Sequence, residues 1–598
     1  MAIIELVNPS FKKENFDGVC VVAEQVTHIS SLSYYHNALT NYAKLSNEFD
    51  KPGSVVVVPH DSAKFLIIYA SVGANDGDFD DSQAYVKSGT AVIKKAIACG
   101  MTRPLFVVAS SKRFDNAQML VVLGALHALY IPLNVREDLG ADRAKYKFDK
   151  LFLHLLGNFK NDKFMLRLEG IRDAFHICRD IGDGDPVLMS PGRVLNYVQR
   201  CFSDSCIKVW FEENEDLTRG YPLLAAVNRA NANHSNHRAR LIWLEYDSTY
   251  RPHGELANET LYLVGKGVTF DTGGTNLKIG GSMFGMSRDK YGSAVVAGFF
   301  AALNALRPPG LRVIGAMCMV RNSIGSNAFT CDEIITSRSG KRIHICYTDA
   351  EGRLAMLDPL TKCREEALNS DENNVHLFTI ATLTGHCLLT YGDRSAVMDN
   401  GPARGYAQAL QATGDRYGQP VEVSRLCNKD FEFHSAESEM ADLRQSNIKP
   451  STQTIRGHMS PAGFLIRGSR LDEHDTKSER PLRYTHIDIG EAMGGAPSIS
   501  FPNPLLTLIA QPQINPRPVG NDLRANHFAG LNKGHPAIEI SADLLRIGVC
   551  GKRLMRLIQG LVSTAVLPAL CNSHSSANLT RLTRARGDFF FKRYLSMD

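Results

Sequence analysis

The stretch Leu261–Gly274, LYLVGKGVTFDTGG, joins an apolar run to four glycines, a lysine and an aspartate. The short apolar run is typical of a buried strand, and we predict that Lys266 and Asp271 lie at or just past its carboxyl end. Taken alone, the stretch also fits a glycine turn with a solvated lysine. It does not fit a phosphate loop, because Gly267 stands where that motif needs Ser or Thr after the lysine.

The chain on both sides of this stretch predicts an α/β fold. Short Val/Ile-rich runs such as SVVVVPH and LRVIGAMCMV alternate with helix-like segments such as GSAVVAGFFAALNAL. This alternation predicts two α/β domains: a smaller N-terminal one with a mixed sheet, and a larger C-terminal one with a mostly parallel central sheet flanked by helices. The predicted boundaries are residues 1–160 for the N-terminal domain, 161–182 for a linking helix, 183–511 for the C-terminal domain and 512–598 for a basic tail.

Composition indicates a globular chain of more than one domain. The 598 residues are 44% hydrophobic and 22% charged, and a single domain rarely reaches this length. No run approaches the roughly 18 consecutive apolar residues of a membrane-spanning helix, and no signal peptide is recognisable at the start. The 13 cysteines are scattered, as in proteins whose thiols stay reduced. We therefore expect a cytoplasmic protein without a membrane partner.

The net charge of +5 is unevenly distributed. Residues 511–598 hold 12 Lys/Arg against 5 Asp/Glu, so residues 1–510 carry a net charge of about −2. A body with an acidic balance is not expected to bind nucleic acid. The basic tail receives no functional prediction.

Two further segments contain residues that could act together with Lys266 and Asp271. The first holds Lys278 and Asp289, and the second is the hexapeptide TDAEGR at residues 348–353. Each has a structural alternative: Asp289 suits a helix N-terminus, and Thr348 with Glu351 matches a capping box.

The four acids indicate a metal site if the fold brings them close together. Asp271, Asp289, Asp349 and Glu351 would repel one another in one cleft unless divalent cations neutralise them, and carboxylates close together favour two bridged ions. A neutral lysine can also bind such an ion because the cation displaces its proton. We therefore regard Lys266 as a candidate ligand, with glycines beside it so that the backbone can approach closely.

These segments resemble a known family. VGKGVTFDTGG with the downstream Lys278 and Asp289, together with YTDAEGRL at residues 347–354, is similar to the two signature segments of the leucyl aminopeptidase family of dinuclear-zinc exopeptidases. FHICRD, ARLIWLEY, ATLTG and HIDIGEAM occur in the family's order. The resemblance covers residues 165–510 and leaves the tail uncovered.

The resemblance implies a role for each matching position. Two divalent ions, Zn²⁺ or Mn²⁺, would be bound, one by Lys266, Asp271, Asp289 and Glu351, and the other by Asp271, Asp349 and Glu351. Lys278 would polarise the scissile carbonyl, and Arg353 would hold a bicarbonate that shuttles a proton. Positions that match the family's substrate-binding residues are Lys278, Met286, Asp289, Thr382, Gly385 and Met493.

The implied function is a metal-dependent aminopeptidase that acts on short peptides and assembles as a homohexamer. A non-catalytic or weakly active scaffold on the same fold is the alternative. It is favoured slightly by the basic tail and by Lys290 and Tyr291 after Asp289, where the family usually has Met and Gly. Tyr347 also departs from the family, which usually has Asn before TDAEGR. Such side chains could reshape the site.

Overall fold

The computed structural model describes residues 3–7, 15–60, 62–139, 147–157, 161–248, 257–372, 374–511 and 514. Contacts divide the chain into a unit of Met1–Arg517 and a unit of Pro518–Asp598. All elements described below belong to the first unit. The predicted basic tail lies outside the described residues except for Ile514.

The N-terminal part forms a six-stranded sheet in the order β1-β6-β5-β2-β4-β3. Only β3 runs antiparallel to its neighbour β4, so the predicted mixed sheet is confirmed. The strands are β1 (Ile3–Leu6), β2 (Gly18–Ala23), β3 (Val55–His60), β4 (Ser62–Ser71), β5 (Leu105–Val108) and β6 (Lys150–Leu155). The helices are α1 (Ser33–Ala43), α2 (Gln83–Ala98), α3 (Ala117–Leu129) and α4 (Leu133–Leu139).

A long helix, α5 (Asn161–Asp183), follows this sheet. The linking helix was predicted over residues 161–182, and the structure has a helix there. The two sheets belong to the same compact unit, so the domain boundaries themselves stay predictions.

The second sheet has eight strands in the order β15-β14-β17-β13-β9-β10-β8-β7. Its centre, β17-β13-β9-β10, is parallel throughout, which confirms the predicted parallel core. The strands are β7 (Lys208–Glu212), β8 (Arg240–Asp247), β9 (Glu259–Asp271), β10 (Leu311–Asn322), β13 (Val375–Ala381), β14 (Ser395–Asp399), β15 (Val421–Val423) and β17 (Arg483–Asp488). A smaller sheet holds β11 (Ile334–Thr336), β12 (Arg342–His344) and β16 (Leu443–Arg444).

Helices cover the eight-stranded sheet, as expected for a sheet whose central strands are buried. They are α6 (Pro191–Phe202), α7 (Asn214–Gly220), α8 (Pro222–Asn228), α9 (Tyr291–Leu306), α10 (Glu351–Asn369), α11 (Gly385–Tyr391), α12 (Tyr406–Arg416), α13 (Asn428–Glu432), α14 (Ser460–Gly468) and α15 (Leu505–Ile509). Helix α9 packs against both α5 and β9.

Glycines let α9 lie unusually close to the sheet. A Cβ atom added to Gly265 on β9 would lie 2.7 Å from the carbonyl oxygen of Gly292, and one on Gly292 would lie 2.0 Å from that of Ile380. The glycines beside Lys266 were expected to let the backbone approach closely. At Gly265 the backbone that approaches is that of α9, which begins just after Asp289.

One segment, Ala117–Leu139, is long and apolar enough to cross a membrane by length and composition, and 67% of its apolar window is buried inside the protein. Helix α3 ends at Leu129 and α4 begins at Leu133. Core helices pass the same test, and this segment packs in the N-terminal core.

Candidate metal centre

The candidate centre lies where the parallel strands end. Asp271 is the last residue of β9, Asn322 of β10 and Asp488 of β17, and Thr382 directly follows β13. Lys266 was predicted at the end of its strand, but β9 continues through Asp271, which pairs with Asn322. The prediction was wrong for Lys266: it lies within the strand, and only its side chain reaches the centre.

The ammonium group of Lys266 connects two acids from different segments, since Asp289 precedes α9 and Glu351 begins α10. Its Nζ lies 2.8 Å from Asp289 Oδ1 and 3.0 Å from Glu351 Oε1, and it donates a hydrogen bond to the carbonyl oxygen of Thr382 at 3.0 Å. Burial alone would lower the pKa of Lys266, but the charges of Asp289 and Glu351 outweigh it and raise that pKa. In the absence of another cation, this lysine is therefore the positive charge that neutralises the pair.

Lys278 makes the same kind of connection between the other two acids. Its Nζ lies 3.0 Å from Asp271 Oδ2 and 2.6 Å from Asp349 Oδ1. Burial opposes its charge, yet Asp271 and Asp349 together raise its pKa. Four carboxylates thus face two ammonium groups, and the acids outnumber their partners.

The electrostatics of the acids reflect this excess of negative charge. Burial, together with neighbouring carboxylates, raises the pKa of Asp289 and of Glu351 and raises the pKa of Asp349 to about 8. The pKa of Asp271 is lowered: burial opposes this shift, but Lys278 and Lys266 outweigh it. Asp289, Asp349 and Glu351 therefore hold their protons more tightly than exposed carboxyl groups do. A bound cation would favour their ionised forms.

The donor atoms suit a metal ion. One oxygen from each of Asp271, Asp289 and Glu351 lies within 4.8 Å of the others. Asp289 Oδ2 is buried and has no hydrogen-bond partner in the structure, and such orphaned acceptors call for an explanation. An oxygen-rich set of this kind favours hard or borderline divalent cations.

Asn322 supports the centre and was missed by sequence reasoning. Its Nδ2 donates to Asp271 Oδ1 at 2.8 Å and to the carbonyl oxygen of Thr348 at 3.2 Å. It therefore holds the end of β9 and the segment before Asp349 together. The feature of the sequence that could have revealed Asn322 is its position at the end of the apolar run LRVIGAMCMVRN, which follows the predicted strand that carries Asp271.

Thr348 does not form the predicted capping box. The residue that precedes α10 is Ala350, which makes no side-chain cap. The Thr348 hydroxyl instead donates to the carbonyl oxygen of Gly273 at 2.7 Å and accepts from the amide of Asn276 at 2.8 Å. Asp289 is not the N-cap of α9 either, because Lys290 holds that position. Thr348 therefore joins the segment before Asp349 to the segment after Asp271, and neither Thr348 nor Asp289 caps the start of α10 or α9.

Arg353 lies on the first turn of α10 and is buried. Its Nη1 donates to the carbonyl oxygen of Gln445 at 3.1 Å, while its buried Nε has no hydrogen-bond partner in the structure. Burial lowers the pKa of Arg353 to about 10, so it remains a cation at neutral pH. The Gln445 side chain in turn donates to the carbonyl oxygens of Tyr347 and Ala350.

A cavity of about 480 Å³ opens over the centre and is lined by all seven predicted metal-binding and catalytic residues. Of the other predicted substrate-binding positions, Met286, Thr382 and Gly385 also line it. Met493 does not line it; its side chain is 3% exposed and packs in the hydrophobic core. Leu277, Ile279 and Lys449 line the cavity and were not predicted.

The unusual side chains beside Asp289 point away from the cavity. Lys290 is buried and donates to the carbonyl oxygen of Gly184 at 2.7 Å. Arg288 forms an ion pair with Asp183 at 3.2 Å, and the Tyr291 hydroxyl lies 2.8 Å from Ser500 Oγ. These contacts tie the turn before α9 to the end of α5 and to residues near 500, and neither Lys290 nor Tyr291 lines the cavity. Tyr347, by contrast, lines the cavity.

Among the described residues, no histidine lines the cavity or belongs to the group of possible metal ligands. His486 is fully buried on β17, and its Nδ1 lies 2.7 Å from Thr379 Oγ1, which confirms the predicted packed strand histidine. The segment NANHSNHRAR runs through turns that lead into β8.

A parallel-centred α/β sheet with paired lysines and acids at its carboxyl edge defines a leucyl-aminopeptidase-like hydrolase. Residues 176–500 match the catalytic domain of the cytosol aminopeptidase family. A Caenorhabditis elegans protein named "Putative aminopeptidase" is 49% identical over 505 residues, which span 83% of this chain and 95% of that one. The chain belongs to the cytosol aminopeptidase family, as a diverged member.

Solved structures share the fold. The apo leucyl aminopeptidase of Trypanosoma cruzi aligns with a TM-score of 0.71 at 18% identity, over 86% of this chain and 97% of that one. The bottromycin maturation enzyme BotP in complex with Mn aligns with a TM-score of 0.65 at 20% identity, over 83% and 98% of the two chains.

Proposed function

We propose that this protein is a metal-dependent aminopeptidase that removes the N-terminal residue from short peptides. The observation that supports this most is the cluster of Asp271, Asp289, Asp349 and Glu351, in which buried acids outnumber the lysines that neutralise them. Family membership supports peptide hydrolysis, and the manganese complex of BotP supports a divalent cofactor by analogy.

The resemblance to the family assigns the residues that would hold the ions, and the grouping of Asp271, Asp289 and Glu351 supports the first of the two sets. Lys266, Asp271, Asp289 and Glu351 would hold one ion, and Asp271, Asp349 and Glu351 the other. Two such ions, Zn²⁺ or Mn²⁺, would lower the pKa of a bound water and bind the substrate's free amine. Asp289 Oδ2, buried without a partner, is the acceptor most in need of that cation.

Lys278 and Arg353 would carry the remaining chemistry. When the acids bind cations, the ammonium of Lys278 becomes free to donate to the carbonyl oxygen of the scissile bond, where negative charge develops. The buried guanidinium of Arg353, with Nε unpaired, offers a place for a small anion such as bicarbonate that could accept a proton.

The alternative, a non-catalytic scaffold, loses the support of the residues beside Asp289, since Lys290 and Tyr291 pack away from the cavity. A cytoplasmic location is proposed from the family's name. A homohexamer stays a prediction, which light scattering of the purified protein would test.

The direct test uses matched peptides. The metal-loaded protein should release leucine from Leu-Gly-Gly and leave N-acetyl-Leu-Gly-Gly intact, because the acetyl group removes the free amine. A chelator should abolish the first reaction. Equal cleavage of both peptides would contradict an aminopeptidase, and cleavage insensitive to chelation would contradict the metal.

A further inference from the structure

The charged side chains that line the cavity are not all accounted for by the candidate centre. Lys266 and Lys278 pair with acids, and Arg353 is buried. Lys449 also lines the cavity, but it is exposed and forms no ion pair with the described residues.

Lys449 lies on a loop that its own hydrogen bonds close. Its amide donates to Asn447 Oδ1 at 3.2 Å, and Asn447 Nδ2 donates to Thr454 Oγ1 at 3.1 Å. Thr454 Oγ1 donates back to the carbonyl oxygen of Pro450 at 3.0 Å. The loop therefore presents Lys449 from an ordered turn.

This loop also forms a wall beside a predicted substrate-binding position. A Cβ atom added to Gly385 would lie 2.8 Å from Thr452 Cγ2, and Ser451, Thr452 and Thr454 line the cavity. Lys449 and the candidate centre thus line the same cavity.

We infer that Lys449 recognises the C-terminal carboxylate of a short peptide, and that the preferred substrates are peptides of two or three residues with a free carboxylate. This inference rests on the proposed aminopeptidase function. A short peptide at neutral pH carries an ammonium at one end and a carboxylate at the other. The amine would be bound at the metal-rich end, where carboxylates gather, and the carboxylate needs a cation elsewhere in the cavity.

Size and charge favour this substrate class. A volume of about 480 Å³ lies in the lower part of the roughly 300–1,000 Å³ range of small-ligand sites, and each extended residue adds only about 3.3–3.6 Å. Glu491, another lining residue without an ion pair among the described side chains, is negative and would repel a carboxylate. Lys449 is then the cation suited to this end of the substrate.

The test compares Leu-Gly with Leu-Gly-amide, which differ in the terminal charge alone. In Lys449→Met, the ratio of kcat/KM for the free acid to that for the amide should fall by about two- to fivefold, the range of one exposed ion pair, and by more in Lys449→Glu. Raising the salt concentration should lower the same ratio in the wild type and leave it unchanged in Lys449→Met.

Lys477→Met, at an exposed lysine that does not line the cavity, serves as the control and should keep the wild-type ratio. A ratio that stays at the wild-type value in both Lys449 variants would overturn the inference, as would an equal loss for acid and amide. Failure of the aminopeptidase proposal would look different, since neither substrate would be hydrolysed by the wild type.

Discussion

Lys278 Nζ lies 2.6 Å from Asp349 Oδ1, and the same nitrogen lies 3.0 Å from Asp271 Oδ2. The lysine proposed to act on the substrate is here engaged by two acids proposed to bind metal. The two roles are compatible only if cations replace the ammonium as the partner of those acids. Bound cations would thus free the Lys278 ammonium to donate a hydrogen bond to the substrate.

Replacement of Asp349 by Ala should abolish metal-dependent hydrolysis, because the second ion would lose a ligand. Lys278 keeps Asp271 as a partner, so the unfolding free energy of the metal-free protein should change by less than about 1 kcal/mol. Activity assays and chemical denaturation measure the two quantities. Asp216→Ala, at an exposed acid on α7, is the matched control. Wild-type turnover in Asp349→Ala would show that the site is misassigned.

Replacement of Lys278 by Ala should lower kcat by about 10²–10³, the usual effect of losing a group that stabilises an oxyanion. The KM should change little, since the interaction strengthens as charge develops. Steady-state kinetics with a leucyl dipeptide measure both, and Lys208→Ala, at an exposed lysine on β7, controls for general effects. If KM rose while kcat stayed constant, Lys278 would bind substrate rather than stabilise the transition state.

Metal affinity should rise with pH. Burial and the neighbouring acids raise the pKa of Asp349 to about 8 and also raise those of Asp289 and Glu351. A group with a raised pKa keeps its proton to higher pH, and that proton must leave before the metal binds. Calorimetric titration with Mn²⁺ at several pH values should show affinity increasing between about pH 5 and 8, with proton release. Affinity independent of pH over this range would contradict the predicted protonation.

Asn322→Ala should weaken metal binding by about 10–100-fold, the effect typical of groups that orient metal ligands. The reason is the hydrogen bond from Asn322 Nδ2 to Asp271 Oδ1, which fixes a carboxylate proposed to contact both ions. Dissociation constants for Mn²⁺ in the wild type and variant give the answer. An unchanged constant would mean that Asp271 is held in place without Asn322.

Gly292→Ala should destabilise the fold by about 1–3 kcal/mol, the cost of inserting atoms into a well-packed core. Its Cβ would lie 2.0 Å from the carbonyl oxygen of Ile380. The matched control is Gly192→Ala in α6, whose nearest neighbour would be 3.7 Å away and which should be neutral or slightly stabilising. Thermal denaturation compares them. Equal melting temperatures would show that α9 can move off the sheet at little cost.

The sequence predicted the fold class and brought the right acids together for two reasons. Buried parallel strands have a distinctive Val/Ile-rich pattern, and VGKGVTFDTGG and YTDAEGRL are specific segments. The ends of the strands were harder to predict. Strand β9 continues past Lys266 because its partner β10 extends to Asn322, and this pairing joins residues that are far apart in the sequence.

The hydrogen bonds around the centre could not be predicted for a similar reason. Thr348 matched a capping box, but the carbonyl oxygen of Gly273 and the amide of Asn276, both more than 70 residues away in sequence, compete successfully for its hydroxyl. Close approach of the backbone was expected beside Lys266, but the segment that approaches Gly265 is α9, which begins more than 20 residues later and could not be identified from the local sequence. Met493 followed the family pattern, yet its side chain packs in the core.

The most direct test of the two-ion proposal is a titration of the metal-stripped protein with Mn²⁺ or Zn²⁺, in which bound ions and hydrolysis of a leucyl dipeptide are measured on the same samples. We expect no activity without metal and full activity as binding approaches two ions per chain. A folded protein that binds two ions per chain and hydrolyses no peptide would contradict the account and favour a non-catalytic scaffold.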